Sequence, residues 1–294
     1  MTSIIWGLLG AIFIGVSDGI GRVTTQRVSL NILILFIMGI STFLMSIWFL
    51  LTWDWPEWHF YSWLVSFLSG FLNVIALLFL FQALARGPVY VASPAASSFS
   101  VILVTLNVLS GQPINSTQII AIIVVFFSII MLTRPSKGLK LPALEYYSTK
   151  WLRVTALLGV GTGITVAVRF FLAQEAVLIL KPTHALYLNR FSALIFVIIL
   201  LCWEFYRKHN MQWPKHSTLF LIVTQSILEM LSLGAFLFGS TTGGRVGVAI
   251  GFSAFAAITT LTSWIWLGEK VSLQKMFRIG IIAISIVASL IFSP

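Results

Sequence analysis

The sequence predicts an all-α polytopic membrane protein with ten transmembrane helices, arranged as two inverted five-helix repeats. Three observations lead to this fold class. The 294 residues are 59% hydrophobic and only 9% charged, with a mean hydropathy of +1.01, so a soluble domain could not cover its apolar surface. Apolar segments long enough to cross a bilayer recur along the whole chain. The sequence also repeats itself at a constant spacing.

Ten segments are apolar over about the 20 residues that a membrane-spanning helix needs. They lie near residues 3–22, 30–52, 62–85, 90–109, 118–133, 153–178, 184–205, 217–239, 245–267 and 275–292. The longest connection between them is rich in lysine and arginine and leaves five segments on each side. We therefore predict a first five-helix repeat over residues 1–133, a basic linker over 134–152 and a second five-helix repeat over 153–294.

An internal repeat relates the two halves. Residues 79–92 align with residues 236–249 at an offset of 157 without a gap, and the register continues at Gly111 with Gly268 and at Ser128 with Ser285. A unit with an odd number of crossings is followed by a copy that enters the membrane from the opposite side. We expect a pseudo-two-fold axis in the membrane plane, alternating access, and a binding site near the midplane.

The net charge of +10 indicates membrane topology and argues against a nucleic-acid partner. Fourteen of the 18 lysines and arginines lie in the odd-numbered connections, whereas the even-numbered connections hold only Lys181 and Arg245. The positive-inside rule places the odd-numbered connections in the cytoplasm, so both termini are predicted to be non-cytoplasmic. We expect an integral protein of the inner (plasma) membrane of a prokaryote.

Three charged residues within the apolar segments are candidates for a substrate site. Glu229 lies near the centre of the eighth segment, where a carboxylate costs about 2.5–3.5 kcal/mol, so it should face the interior and have a partner. Gln225 lies one turn away on the same helical face. Arg169 and Arg190 could hold a carboxylate through two parallel hydrogen bonds. The alternatives are a structural Glu–Arg pair and arginines that reach the lipid headgroups.

Three further polar residues accompany them. Asn73 occupies nearly the repeat-equivalent position of Glu229 and could form a cavity wall or an interhelical hydrogen bond. Tyr187 lies one turn before the second of the two arginines. Asp18 and Glu229 are the candidates for proton coupling, although the i, i+4 spacing of Asp18 and Arg22 favours a local ion pair.

Signals for catalysis, cofactors and metals are absent from the sequence. It contains no HExxH or Asp-rich prenyl-binding motif, and its four histidines have no ligand spacing, so we expect no enzyme activity, cofactor or metal. The glycine cluster at residues 159–163 lacks the strand-then-helix context of a dinucleotide site and indicates close helix packing or a flexible point. A channel is disfavoured because no filter motif is present.

Several turns resemble those of EamA-type proteins of the drug/metabolite transporter superfamily. The resemblance rests on residues 85–94 (ARGPVYVASP), on 267–272 (LGEKVS) and on its weaker counterpart 110–115 (SGQPIN). It implies ten helices in two inverted bundles, a central cavity and the movement of small metabolites such as amino acids. The family often has an arginine near the start of the second helix of a repeat. Residues 189–191 fit this pattern, whereas residues 29–51 contain no arginine.

We therefore expect a secondary transporter of a small polar or zwitterionic, amino-acid-like metabolite, working as an exporter or exchanger. A lipid or polyprenyl-carrier flippase is the alternative, and a membrane-embedded enzyme or receptor is disfavoured. The expected partners are the metabolite and the lipid bilayer, with the protein as a monomer or homodimer. The candidate substrate-binding residues are Glu229, Arg190, Arg169, Asn73, Tyr187 and Gln225, and the candidates for proton coupling are Glu229 and Asp18.

Overall fold

A computed structural model describes residues 2–86, 92, 95–96, 98–133, 149–207, 211–242, 244–268, 277, 280–281 and 284. Every regular element within these residues is a helix. The helices are α1 (Thr2–Thr24), α2 (Leu30–Thr52), α3 (Phe60–Arg86), α4 (Phe99–Leu109), α5 (Ser116–Thr133), α6 (Thr149–Ala176), α7 (Pro182–Tyr206), α8 (His216–Thr242), α9 (Arg245–Phe252) and α10 (Phe255–Leu267).

Among the described residues, seven helical runs are long and apolar enough to cross a membrane. They comprise α1, α2, α3, residues 153–176 of α6, α7, α8, and the run 245–266, which contains α9 and α10. The predicted fourth and fifth segments correspond to the shorter helices α4 and α5. The predicted tenth segment, 275–292, lies almost wholly outside the described residues. α6 begins at Thr149, so the last residues of the predicted linker are already helical.

The predicted ninth helix is divided in two. The backbone N–H of Ser253 is shared between the carbonyl groups of Ala249 and Ile250, at 3.1 and 3.2 Å. Its hydroxyl group donates to Ile250 O at 2.6 Å, and the N–H of Ala254 bonds Gly251 O at 3.3 Å. Hydroxyl groups that bond backbone carbonyls in this way compete with the helical pattern and bend helices. The break therefore needs no proline.

The first helix of each predicted half packs against the third helix of the other half. α1 packs along α8, and Thr2 at the start of α1 donates to Thr242 O at the end of α8 (3.2 Å). α3 packs along α6, and Tyr61 at the start of α3 donates to Glu175 near the end of α6 (3.3 Å). Both pairs are antiparallel. Each therefore joins a helix from residues 1–133 to one from residues 149–294.

α2 and α7 also pack antiparallel, with a polar contact at each end. Beyond the end of α2, Asp54 forms an ion pair with Lys181 (2.7 Å), and Nε2 of His184 lies 2.9 Å from Asp54 O. The hydrogen bond from Lys181 is the main cause that holds the pKa of Asp54 below its ordinary value. At the opposite end, Ser29 and Gln212 exchange hydrogen bonds at 2.8 and 3.2 Å.

Glycines bring backbones together at two places, one on α9 and one on α6. A Cβ atom on Gly251 of α9 would lie 2.2 Å from Ile4 O of α1, and one on Gly159 of α6 would lie 2.9 Å from Ala92 O. Side chains cannot be accommodated at such distances, so glycine lets these helices approach closely. The glycine cluster at residues 159–163 therefore serves helix packing, one of its two predicted roles.

Candidate functional site

A cavity lies between helices α1, α3, α6, α7 and α8, with contributions from Ala96, α4, α9 and α10. The volume open to the centres of water-sized spheres is about 50 Å³. Since one water needs roughly 10–15 Å³ by this measure, the cavity has room for a few waters or a few ligand atoms. Most lining residues are apolar, but Asp18, Arg169, Arg190 and Glu229 also face it. The structure thus brings together four of the predicted residues, and Asn73 is a fifth.

Arg190 of α7 and Glu229 of α8 form a buried pair. Their side chains are 2% and 5% exposed, so the two charges depend on each other for compensation. Nη2 of Arg190 donates to the backbone carbonyl of Glu229 at 2.7 Å, and Nη1 lies 3.7 Å from Oε2. The arginine therefore ties α7 to the backbone of α8 as well as facing the carboxylate. This is the Glu–Arg pairing considered as an alternative from the sequence.

Arg169 of α6 has a different environment. Its Nη1 donates to Oδ1 of Asn73 on α3, and its guanidinium lies 4.3 Å from the ring centre of Phe170. Its Nε atom has no hydrogen-bond partner among the described residues. Asn73 in turn contacts the sulfur of Met38 at 3.6 Å, and Arg190 contacts the same sulfur at 3.5 Å. An amide and an aromatic ring thus surround the Arg169 charge.

Asp18 of α1 is 2% exposed, and its Oδ2 atom has no hydrogen-bond partner within the described ranges. Within the described ranges, Asp18 does not form the expected ion pair with Arg22. Arg22 instead donates to the backbone carbonyl of Leu84 in the last turn of α3. Carbonyl groups in the last turn of a helix lack partners within the helix, so they compete for a nearby guanidinium. The local i, i+4 interpretation was wrong for this reason.

Two predicted site residues do not line the cavity. The Tyr187 ring lies 5.1 Å from that of Phe49, and its hydroxyl group accepts a long hydrogen bond from Ser46 (3.4 Å). Gln225 accepts a hydrogen bond from Thr24 through Oε1 at 3.0 Å. Both side chains connect helices from the two predicted halves. Neither side chain lines this cavity, so neither would contact a substrate bound in it.

The aromatic part of the cavity was not predicted. Phe99, Phe170, Phe252 and Phe255 line it, and the rings of Phe170 and Phe252 lie 5.2 Å apart. Phenylalanine in an apolar segment suits lipid, helix packing and a binding site equally well, and the chain contains 24 of them. No sequence signal therefore distinguishes these four.

A second polar cluster lies where α6 ends and α9 begins. Arg245 binds the Glu175 carboxylate and also donates to Gln174 O at 2.8 Å. The Gln174 side chain accepts a hydrogen bond from Asn107 of α4 at 3.0 Å and donates to Ser240 of α8 at 3.1 Å. The sequence placed Arg245 in a connection and gave no reason to expect this cluster, which joins both predicted halves.

These features define a polytopic helical membrane protein with a charged cavity among its helices. Residues 1–134 match the model of the EamA-like transporter family. The match covers slightly less than half of the chain and agrees with the resemblance found in the sequence. Together with the seven apolar helices, it supports a membrane transporter of the drug/metabolite transporter superfamily.

The comparison with solved structures concerns the fold alone. A solved structure, described as "Crystal structure of protein", superposes with a TM-score of 0.76 over 99% of each chain at 13% sequence identity. At that identity the similarity establishes a shared fold and carries no information on substrate. A comparison with curated proteins found no match.

Proposed function

We propose that the protein is a secondary transporter that moves a small polar or zwitterionic, amino-acid-like metabolite by alternating access, in export or exchange. The proposal rests on the residues that line the cavity. The cavity presents two carboxylates and two guanidinium groups in an otherwise mostly apolar lining. Their charges cancel when all four are ionised. A zwitterion offers the same combination of opposite charges without adding net charge to a buried site.

The exchanged packing of the helices supports the two inverted repeats, residues 1–133 and 153–294, an arrangement common among transporters that work by alternating access. Ser232 of α8 donates to Gly10 O of α1 at 2.9 Å. Under the offset of 157, the equivalent positions are residue 167 on α6 and residue 75 on α3. The observed contact between Arg169 and Asn73 is only two residues from each. The contact between α1 and α8 thus has a near counterpart in the contact between α6 and α3.

Within this proposal, Arg190 or Arg169 holds the substrate carboxylate, and Asn73 forms part of the cavity wall. Glu229 holds an amine or exchanges a proton, and Asp18 is the other candidate for proton coupling. All five side chains line the cavity. Tyr187 and Gln225 would act by joining helices around the site. The driving force would be an ion gradient or a counter-substrate, because the sequence contains no ATP-binding motif.

The test is flux in proteoliposomes that contain the purified full chain. Uptake of each of the 20 protein amino acids, radiolabelled, is measured with and without a proton gradient and with unlabelled amino acid inside. We expect saturable flux of at least one, accelerated by the gradient or by exchange. Glu229→Gln should change the pH dependence of this flux, and retention of the wild-type profile would remove Glu229 from proton coupling. Lipid translocation without amino-acid flux would favour a flippase.

A further inference from the structure

We propose that Asp18 and Arg169 bind the two charged ends of the zwitterion, with the ammonium group at Asp18 and the carboxylate at Arg169. Arg190 and Glu229 then form a fixed internal pair that does not contact the charges of the substrate. The inference rests on the proposed function and narrows its four candidate charges to two. It differs from the broader assignment proposed above, in which Glu229 holds an amine or exchanges a proton.

Arg190 and Glu229 already form an ion pair, although Nε of Arg190, like Nε of Arg169, has no hydrogen-bond partner among the described residues. The guanidinium of Arg190 is held by the backbone carbonyl of Glu229 as well as by its carboxylate, and both side chains are at least 95% buried. Removing one member of such a pair leaves the other charge buried without compensation. A substrate that displaced Arg190 from Glu229 would have to replace the stabilisation that the two charges give each other. The pair is therefore better suited to hold α7 against α8 than to exchange partners in every transport cycle.

Asp18 and Arg169 differ from Arg190 and Glu229 in having no ion-pair partner among the described residues, and both have unused hydrogen-bonding capacity. Oδ2 of Asp18 and Nε of Arg169 are buried polar atoms without partners in the described part of the chain. No basic group within these ranges forms an ion pair with Asp18: Arg22 is bound to Leu84 O, and Asp18 instead accepts a hydrogen bond from Thr259 of α10. Buried polar atoms without partners are costly, so a ligand that supplies both a donor and an acceptor is favoured. An ammonium group can donate a hydrogen bond to the Asp18 carboxylate, and a carboxylate can accept one from the Arg169 guanidinium.

The positions of the two residues connect binding to movement. Asp18 is on α1 and Arg169 is on α6, so a ligand held by both joins one helix from each predicted half across the same cavity. An amine without a carboxylate would satisfy only Asp18, and an acid without an amine would satisfy only Arg169. Discrimination against both single-charge analogues is therefore expected to depend on two different residues.

The experiment uses the amino acid with the highest flux and two analogues, the amine that lacks the carboxylate and the acid that lacks the ammonium group. Each analogue competes with flux of the labelled amino acid in proteoliposomes. The wild-type protein should prefer the amino acid by about tenfold or more over either analogue, as expected for the loss of one charged hydrogen bond. Asp18→Asn should remove the preference over the acid, and Arg169→Gln the preference over the amine.

Matched controls remove the same charges elsewhere. Asp54→Asn and Arg207→Gln alter a carboxylate and a guanidinium at helix ends outside the cavity, and both preferences should persist. If Asp18→Asn does not fold, Asp18→Glu should keep the preference over the acid. Loss of either preference in Glu229→Gln, with both retained in Asp18→Asn and Arg169→Gln, would overturn the assignment while the transport function stands. No flux of any amino acid by the wild type would instead reject the proposed function.

Discussion

The contact between α3 and α7 gives a sharp test of how the site is held in position. Gly70 of α3 faces the backbone of α7, and an added Cβ atom would lie 2.2 Å from Asn189 O and 1.9 Å from Oγ of Ser192. The serine side chain can rotate away, but the carbonyl group cannot. Gly70→Ala should therefore push α7 away from α3. Arg190 follows Asn189 directly, so the displacement reaches the Arg190–Glu229 pair.

The magnitude follows from the distances. Ordinary van der Waals contact begins near 3.4 Å, so the two helices must separate locally by about 1.2 Å. Such a shift would break the hydrogen bond from Asn189 Nδ2 to Ser69 Oγ, now 2.8 Å long. Overpacking costs about 1–3 kcal/mol and the lost bond about 1 kcal/mol, whereas alanine gains about 1 kcal/mol in helix propensity. We expect a net loss of about 2 kcal/mol.

Thermal unfolding of the detergent-purified protein measures this loss. A destabilisation of about 2 kcal/mol should lower Tm by about 4 °C for a chain of this size. Gly39→Ala is the matched control, because the nearest atom to its added Cβ would be Leu194 Cδ1 at 3.9 Å. That variant should be neutral or slightly more stable than the wild type. Equal Tm values for Gly70→Ala and Gly39→Ala would refute the reasoning.

Three further predictions concern ion pairs. Arg190→Met should lower the free energy of unfolding by about 3–5 kcal/mol because it leaves Glu229 buried and unpaired, and adding Glu229→Gln should recover part of this loss in a thermal unfolding assay. Glu175→Gln should cost about 1.5–3 kcal/mol in the same assay, because it weakens a charge-assisted bond to Arg245. Asp54→Asn should flatten the acid limb of stability against pH. The pKa of Asp54 is lowered in the folded state, so its stabilisation is present above the unfolded-state pKa and lost as the pH falls through the folded-state pKa.

Each of these predictions has an outcome that contradicts it. A double variant no more stable than Arg190→Met would mean that an uncompensated Glu229 charge is not the source of the loss. For Glu175→Gln, the contradictory result is a wild-type Tm. Lys181→Gln removes the partner of Asp54, so it should flatten the acid limb in the same way as Asp54→Asn. An unchanged limb in both variants would assign the acid sensitivity to other groups.

Hydropathy predicted helix position best where the composition changes sharply. The expected segment 30–52 has the same bounds as α2, because a continuous apolar run ends there at Trp53 and Asp54. The start of α6 at Thr149 was missed because Lys150 and Arg153 make the sequence resemble a linker, although both residues favour helix. The break at Ser253 was missed because it lies within an apolar run, where hydropathy gives no sign of it.

The site was predictable to the extent that charged residues are conspicuous in apolar sequence. Glu229, Arg169 and Arg190 were found for this reason, and the structure places all three on one cavity. Their pairing was not predictable, since either arginine could have reached the carboxylate. The partner of Arg22 is a backbone carbonyl group, and such a partner has no signature in the sequence. Charge therefore predicts which residues belong to a site better than it predicts their contacts.

The exchanged packing has a consequence for how the protein is made. α1 leaves the ribosome well before α8 and α9, yet it packs on both, and its backbone meets that of α9 at Gly251. α8 begins at His216, 192 residues after α1 ends. At a synthesis rate of about 5–20 residues per second, α1 waits about 10–40 s for these neighbours. During that interval Asp18 lacks the residues of α8 to α10 that share its cavity in the folded protein.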